Sequence, residues 1–145
     1  MNNKIGILNE LVDTQIRLLA EKLESVLRET NSKGSIRGGT WLEDAKNTIF
    51  GCVSYAPHND PEEESIEAGI TVTLEGKNTK FIADIYWSDG TPIAEITERI
   101  LIYDDPNELE RKVDELSKIA AAEMLRQMKV LVATSGLSRF RPHRT

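Results

Sequence analysis

The sequence predicts an α+β fold: an N-terminal helix, a four-stranded antiparallel meander and a C-terminal helix, with both helices on one face of the sheet. Three observations predict it. Residues 65–103 alternate apolar and polar side chains with a period of two, in three runs separated by turn residues. The flanking stretches, 4–30 and 106–133, instead repeat apolar residues at steps of three and four. Between the second and third runs, Ser88-Asp89-Gly90-Thr91 carries an Asp-Gly pair, the chemistry of a tight hairpin turn. Segregated helices and strands of this kind pack as a helical layer on an antiparallel sheet.

The first helix is read from Ile5, Leu8, Val12, Ile16, Leu19, Leu23 and Val26 or Leu27, which form one apolar stripe, with Arg17, Glu21, Lys22 and Arg28 off it. Asn31-Ser32-Lys33-Gly34 supplies the stop, with Asn31 or Gly34 as a left-handed cap. Gly34–Thr40 reads as a glycine-rich connector. Glycine lets backbone N–H groups approach a phosphate, but no Gly-Lys-Ser/Thr occurs here and no helix follows directly. Thr48–Tyr55 reads as the first strand, and either of its faces fits the interior. Pro57–Glu64 reads as a loop with four acidic residues, Asp60, Glu62, Glu63 and Glu64.

In the second strand, Ile66, Ala68, Ile70, Val72 and Leu74 share a face; in the third, Phe81, Ala83, Ile85 and Trp87 do. In the fourth, Ala94, Ile96, Ile100 and Ile102 are assigned to the same inner face, and Glu98 breaks their row. With Asp89 and Gly90 as a two-residue loop, Ser88 faces Thr91, Tyr86 faces Ile93, Ile85 faces Ala94, Asp84 faces Glu95 and Ala83 faces Ile96. A slip of one residue would set core side chains against solvent-facing ones, so the pattern argues for this register. Trp87 is expected in the core and Trp41 outside it.

Asp104-Asp105-Pro106 starts the second helix: an aspartate caps the free N–H groups, and proline suits a first turn whose N–H has no partner. Its buried stripe is Leu109, Val113, Leu116, Ala120, Met124 and Met128, with Ile119 and Leu131 alongside. Residues 1–137 are expected to form one domain. The stretch 138–145 is expected to be a basic flexible tail, because Arg139, Arg141 and Arg144 surround little apolar surface.

With 145 residues, 39% of them hydrophobic and 29% charged, the chain has the composition of an ordinary globular domain. No apolar run approaches the roughly 20 residues of a membrane helix, and residues 1–13 lack the apolar core of a signal peptide. A single cysteine, Cys52, forms no internal disulfide, which points to the cytoplasm. The net charge of −6 argues against general affinity for nucleic acid or anionic membranes and toward a basic partner.

Catalytic signals are weak. Asp84 opposite Glu95 is a carboxylate pair of the kind used in acid–base work or for a divalent ion, but no further oxygen ligand or nucleophile accompanies it. Glu98, if enclosed in the apolar row, would have a raised pKa and would mark a pocket between sheet and helices. The two histidines, His58 and His143, and the one cysteine have no metal-ligand spacing. Cys52 has no neighbours that would make a reactive thiolate. No cofactor or metal is expected.

The outer sheet face remains. It is expected to carry Tyr86, Ile93, Asp84, Glu95, Leu101 and Tyr103, an apolar centre with an acidic rim. The expected function is that of a small cytoplasmic, non-enzymatic protein that binds another protein, like an inhibitor or a chaperone-like adaptor. The contact surface would be Tyr86, Ile93, Asp84, Glu95 and Tyr103 on the sheet, with Asp60, Glu62 and Glu63 on the acidic loop. A homodimer through the same face is a second expectation. The alternative is a small-molecule-binding or hydrolytic domain built around Glu98.

Overall fold

The computed structural model describes residues 2–57 and 65–134. The acidic stretch with Asp60, Glu62 and Glu63, and the basic tail 138–145, lie outside these residues. In chain order the elements are α1 (Asn2–Glu29), β1 (Ser35–Glu43), β2 (Thr48–Ala56), β3 (Ile66–Glu75), β4 (Asn78–Trp87), β5 (Pro92–Ile102) and α2 (Pro106–Thr134), with a single 3₁₀ turn, Asp44–Lys46, between β1 and β2. The strands form one antiparallel sheet in the order β1-β2-β3-β4-β5, each beside its sequence neighbour. α1 lies over β1 and β2, α2 lies over β3, β4 and β5, and the helices pack on each other.

The helical stripes are buried largely as their periodicity requires. Ile5, Leu8, Val12, Ile16, Leu19, Leu23 and Leu27 of α1 enter the core, as do Val113, Leu116, Ala120, Met124 and Met128 of α2. Val132 continues the α2 stripe, whereas Ile119 is 56% exposed on the opposite side of the helix. Asn31, at φ +52°, is the left-handed residue that closes α1. Asp105 caps α2: its Oδ1 accepts the Asn107 N–H at 3.0 Å. The sheet contributes Ile49, Val53 and Tyr55 of β2, Ile66, Ala68, Ile70 and Val72 of β3, and Phe81, Ala83, Ile85 and Trp87 of β4. This fixes the orientation of β2, whose Phe50, Cys52 and Ser54 face outward.

The sheet has five strands, not four. The glycine-rich stretch expected to be a connector is β1, paired with β2 from Ser35↔Ala56 to Glu43↔Thr48. Glycine lowers strand propensity and supplies no side chain to show alternation. Here it gives α1 room: a Cβ on Gly38 would lie 3.3 Å from Ala20 Cβ, and one on Gly51 of β2 would lie 2.6 Å from Ile16 Cγ1. The helix seats on these two backbone positions, which larger residues would push away.

The β4–β5 hairpin departs from the expected register in two ways. The loop has three residues, Ser88, Asp89 and Gly90: the Trp87 N–H donates to Thr91 O, and the Gly90 N–H donates to Trp87 O, each at 2.8 Å. Only Gly90 has positive φ, at +94°, so the turn needs left-handed backbone at one position rather than two. Asp89 Oδ1 instead accepts the Thr91 N–H at 2.9 Å.

Two irregularities then interrupt β5. Tyr86 pairs with Pro92 and Ile85 with Ala94, which skips Ile93; Asp84 pairs with Glu95 and Ala83 with Thr97, which skips Ile96. The expected pairs Ile85–Ala94 and Asp84–Glu95 are present, but Tyr86–Ile93 and Ala83–Ile96 are not. An extra residue on one strand inverts the faces beyond it. Leu101, expected outside, is buried opposite Thr79, and Ile100 and Ile102, expected inside, are 63% and 65% exposed.

Candidate partner-binding face

Both helices cover one side of the sheet, so the side chains that alternate with the core residues form the other. Three rows run across it. The central row is Gly39–Cys52–Gly69–Asp84–Glu95. On one side of it runs Trp41–Phe50–Thr71–Ile82–Glu98, and on the other Arg37–Ser54–Glu67–Tyr86–Pro92. Two glycines in the central row leave a depression, because the positions on either side of Cys52 have no side chain.

The depression is a recess of about 200 Å³ over Cys52. Trp41 and Phe50 wall one side, their rings stacked with centroids 6.1 Å apart and planes at 28°. Trp41 is 51% exposed. The Tyr86 ring leans over Gly69: a Cβ there would lie 3.3 Å from both Tyr86 Cε1 and Tyr86 Oη. Glu67 and Asp84 complete the lining.

The electrostatics of the recess are one-sided. The Cys52 thiol donates to Glu67 Oε1 at 3.4 Å. Burial, reinforced by the Glu67 carboxylate, pushes that thiol up to about 12, so at neutral pH it is a protonated donor and not a nucleophile. Burial, with the neighbouring Cys52, Glu67 and Asp84, raises the Tyr86 phenol as well. The Asp84 carboxyl is raised by burial first and by Glu95 across the ladder second. Among the described residues, Glu67, Asp84 and Glu95 form no ion pair, while on the adjacent row Lys80 pairs with Glu98 at 3.7 Å.

The Asp84–Glu95 pair should make stability depend on pH. Because the folded-state pKa of Asp84 is raised, the unfolded chain gives up this proton first as pH rises through the ordinary value of 3.8. Stability falls across that window and stays lowered above the folded-state pKa. Asp84→Asn is therefore expected to stabilise the protein at pH 7 by about 0.2–1 kcal/mol, the scale of a cross-strand charge pair. The gain should vanish near pH 3. Urea titrations at the two pH values check this; a loss of stability at pH 7 would show the carboxylate to be favourably held.

Of the residues expected on this face, Tyr86, Asp84 and Glu95 are there together. Ile93 and Tyr103 are not: both are partly buried and pack against the core. Ile93 is one of the skipped residues of β5, and Tyr103 follows the end of that strand. Glu98, expected in the apolar row facing Phe81, lies opposite Ile82 on the outer face, so it does not mark a pocket beneath the helices. Trp41 and Phe50 were not expected as site residues. The signal for Trp41 lies in Ser35–Glu43, where Ile36, Gly38, Thr40 and Leu42 alternate with Arg37, Gly39, Trp41 and Glu43; Phe50 lies in β2, either of whose faces fitted the interior.

Among the described residues, no three of His, Cys, Asp and Glu come together to hold a metal. No described helix is long and apolar enough to cross a membrane. Comparison with known protein families, curated proteins and solved structures returns no match.

Proposed function

We propose that this protein acts by binding another protein through its outer sheet face, in the manner of an inhibitor or adaptor, and that it does so in the cytoplasm without catalysis. The observation that supports this reading is the half-exposed Trp41, stacked on Phe50 beside a recess shared with Tyr86 and Asp84. Exposed aromatics at the centre of a polar surface carry most of the energy of protein interfaces. The recess is smaller than the roughly 300–1,000 Å³ of small-molecule sites. The acidic sequence joining β2 to β3, with Asp60, Glu62 and Glu63, adds negative charge and favours a basic partner.

The test is a parallel capture from native lysate with the wild type and with Tyr86→Ala, followed by affinity measurement on the protein retained. Tyr86→Ala is expected to weaken that binding at least about tenfold while leaving the circular dichroism spectrum unchanged. Equal retention by a folded Tyr86→Ala protein would remove the face from the interface. A doubled mass on gel filtration that Tyr86→Ala reverts to the monomer would make the partner a second copy of this chain.

A further inference from the structure

We propose that the recess over Cys52 receives the guanidinium group of an arginine carried by the partner. The inference rests on the protein-binding reading above and names the group that reading leaves open.

Shape, walls and charge each select this occupant. A recess of about 200 Å³ holds one side chain rather than a whole ligand. Its walls are aromatic: the Trp41–Phe50 stack on one side and Tyr86 on the other. A planar, weakly hydrated guanidinium stacks on such faces, whereas an ammonium is a strongly hydrated point charge.

The charge is negative, and among the described residues Glu67 and Asp84 form no ion pair. Glu67 and Asp84 are diagonal neighbours on β3 and β4, because Glu67 pairs with Tyr86 and Gly69 with Asp84. Diagonal positions lie about 7–8 Å apart, and both carboxylates line the recess beside the Tyr86 ring, which leans over Gly69. Five N–H donors in a fixed fork, carrying a full positive charge, suit two carboxylates that line one recess. A cation placed here would also relieve the repulsion between Asp84 and Glu95, which form no ion pair among the described residues.

The probe is acetyl-arginine N-methylamide, titrated into the full-length protein and followed by backbone amide shifts. Its dissociation constant is expected on the order of 1 mM, suitable for one side chain without the rest of an interface. Saturable shifts are expected at Gly39, Cys52 and Gly69. The neutral citrulline counterpart should produce none, and the lysine counterpart should bind at least about fivefold more weakly. Asp84→Asn should weaken arginine binding by a similar factor in a protein that remains folded, and Glu67→Gln provides a second, independent removal of charge. Equal shifts from the citrulline probe, equal affinity for lysine, or no saturable shift with arginine would each overturn the proposal. If the arginine probe fails while Tyr86→Ala still releases the captured partner, the face stands as an interface and the guanidinium assignment alone falls.

Discussion

Trp87→Ala is expected to lower the free energy of unfolding by about 3–5 kcal/mol, the range for truncating a large aromatic side chain in a packed core. Trp87 is the last residue of β4, follows Phe81, Ala83 and Ile85 on the inner face, and is 8% exposed. Its backbone pairs with Ile66 of β3 and opens the turn into β5. Truncation therefore leaves a cavity where three strands and the hairpin loop converge. Domains of this size have about 5–15 kcal/mol of stability in total, so the variant should sit near the edge of folding at 37 °C. Urea denaturation with an unchanged slope reads the effect. A loss below about 1 kcal/mol would place the ring at the surface, against the helix-covered face assigned here.

This face assignment was legible in the sequence wherever one residue type held one phase. The inner rows of β3 and β4 stay apolar at every second position from Ile66 to Val72 and from Phe81 to Trp87, and the α1 stripe recurs over seven positions, so burial follows the pattern. Two places were not legible, for different reasons. In β1, glycines stand at 38 and 39 and erase the contrast between faces, while the need for Gly38 comes from α1, which is distant in sequence. In β5, Ile100, Leu101 and Ile102 form an unbroken apolar run with no phase of its own. The face was carried in from Ala94 and Ile96, and the irregularity at Ile96 reversed it. Glu98 was the one local sign of the reversal. It reads as an intruder in the inner row and as an ordinary exposed partner of Lys80 in the outer one.

The candidate site divides along the same line. Asp84, Tyr86 and Glu95 lie on the turn side of the reversal at Ile96 and keep the outer face that alternation predicts, whereas Ile93, skipped by the other irregularity, does not. Trp41 and Phe50 depend on a strand that glycine concealed and on another whose two faces looked alike. A sheet face is composed of neighbours from different strands, so the missing strand removed half of the recess from view. The electrostatic cost at Asp84 was visible as a like-charge pair; that no described cation pairs with it required the fold.

Trp41→Ala is expected to separate binding from stability, in contrast to Trp87→Ala. The Trp41 ring is half exposed and leans on one aromatic neighbour, Phe50. Losing that pair should cost about 0.5–1.5 kcal/mol of folding stability, leaving the protein folded at room temperature. In the interface the same ring forms a wall of the recess, and truncating an aromatic at such a position costs about 2 kcal/mol or more of binding. That corresponds to roughly thirtyfold in affinity. Surface plasmon resonance on the captured partner reads the loss, which should appear mainly as faster dissociation, because a buried aromatic acts after the encounter. Trp41→Phe should restore part of it, since the smaller ring can still stack on Phe50. Trp41 stands on β1 and Tyr86 on β4, at opposite sides of the glycine row. Loss of binding in both variants would require a partner that spans four strands across the recess. Wild-type binding by Trp41→Ala, with loss confined to Tyr86→Ala, would move the interface to the β4–β5 side, where the exposed Ile100 and Ile102 would supply its apolar surface.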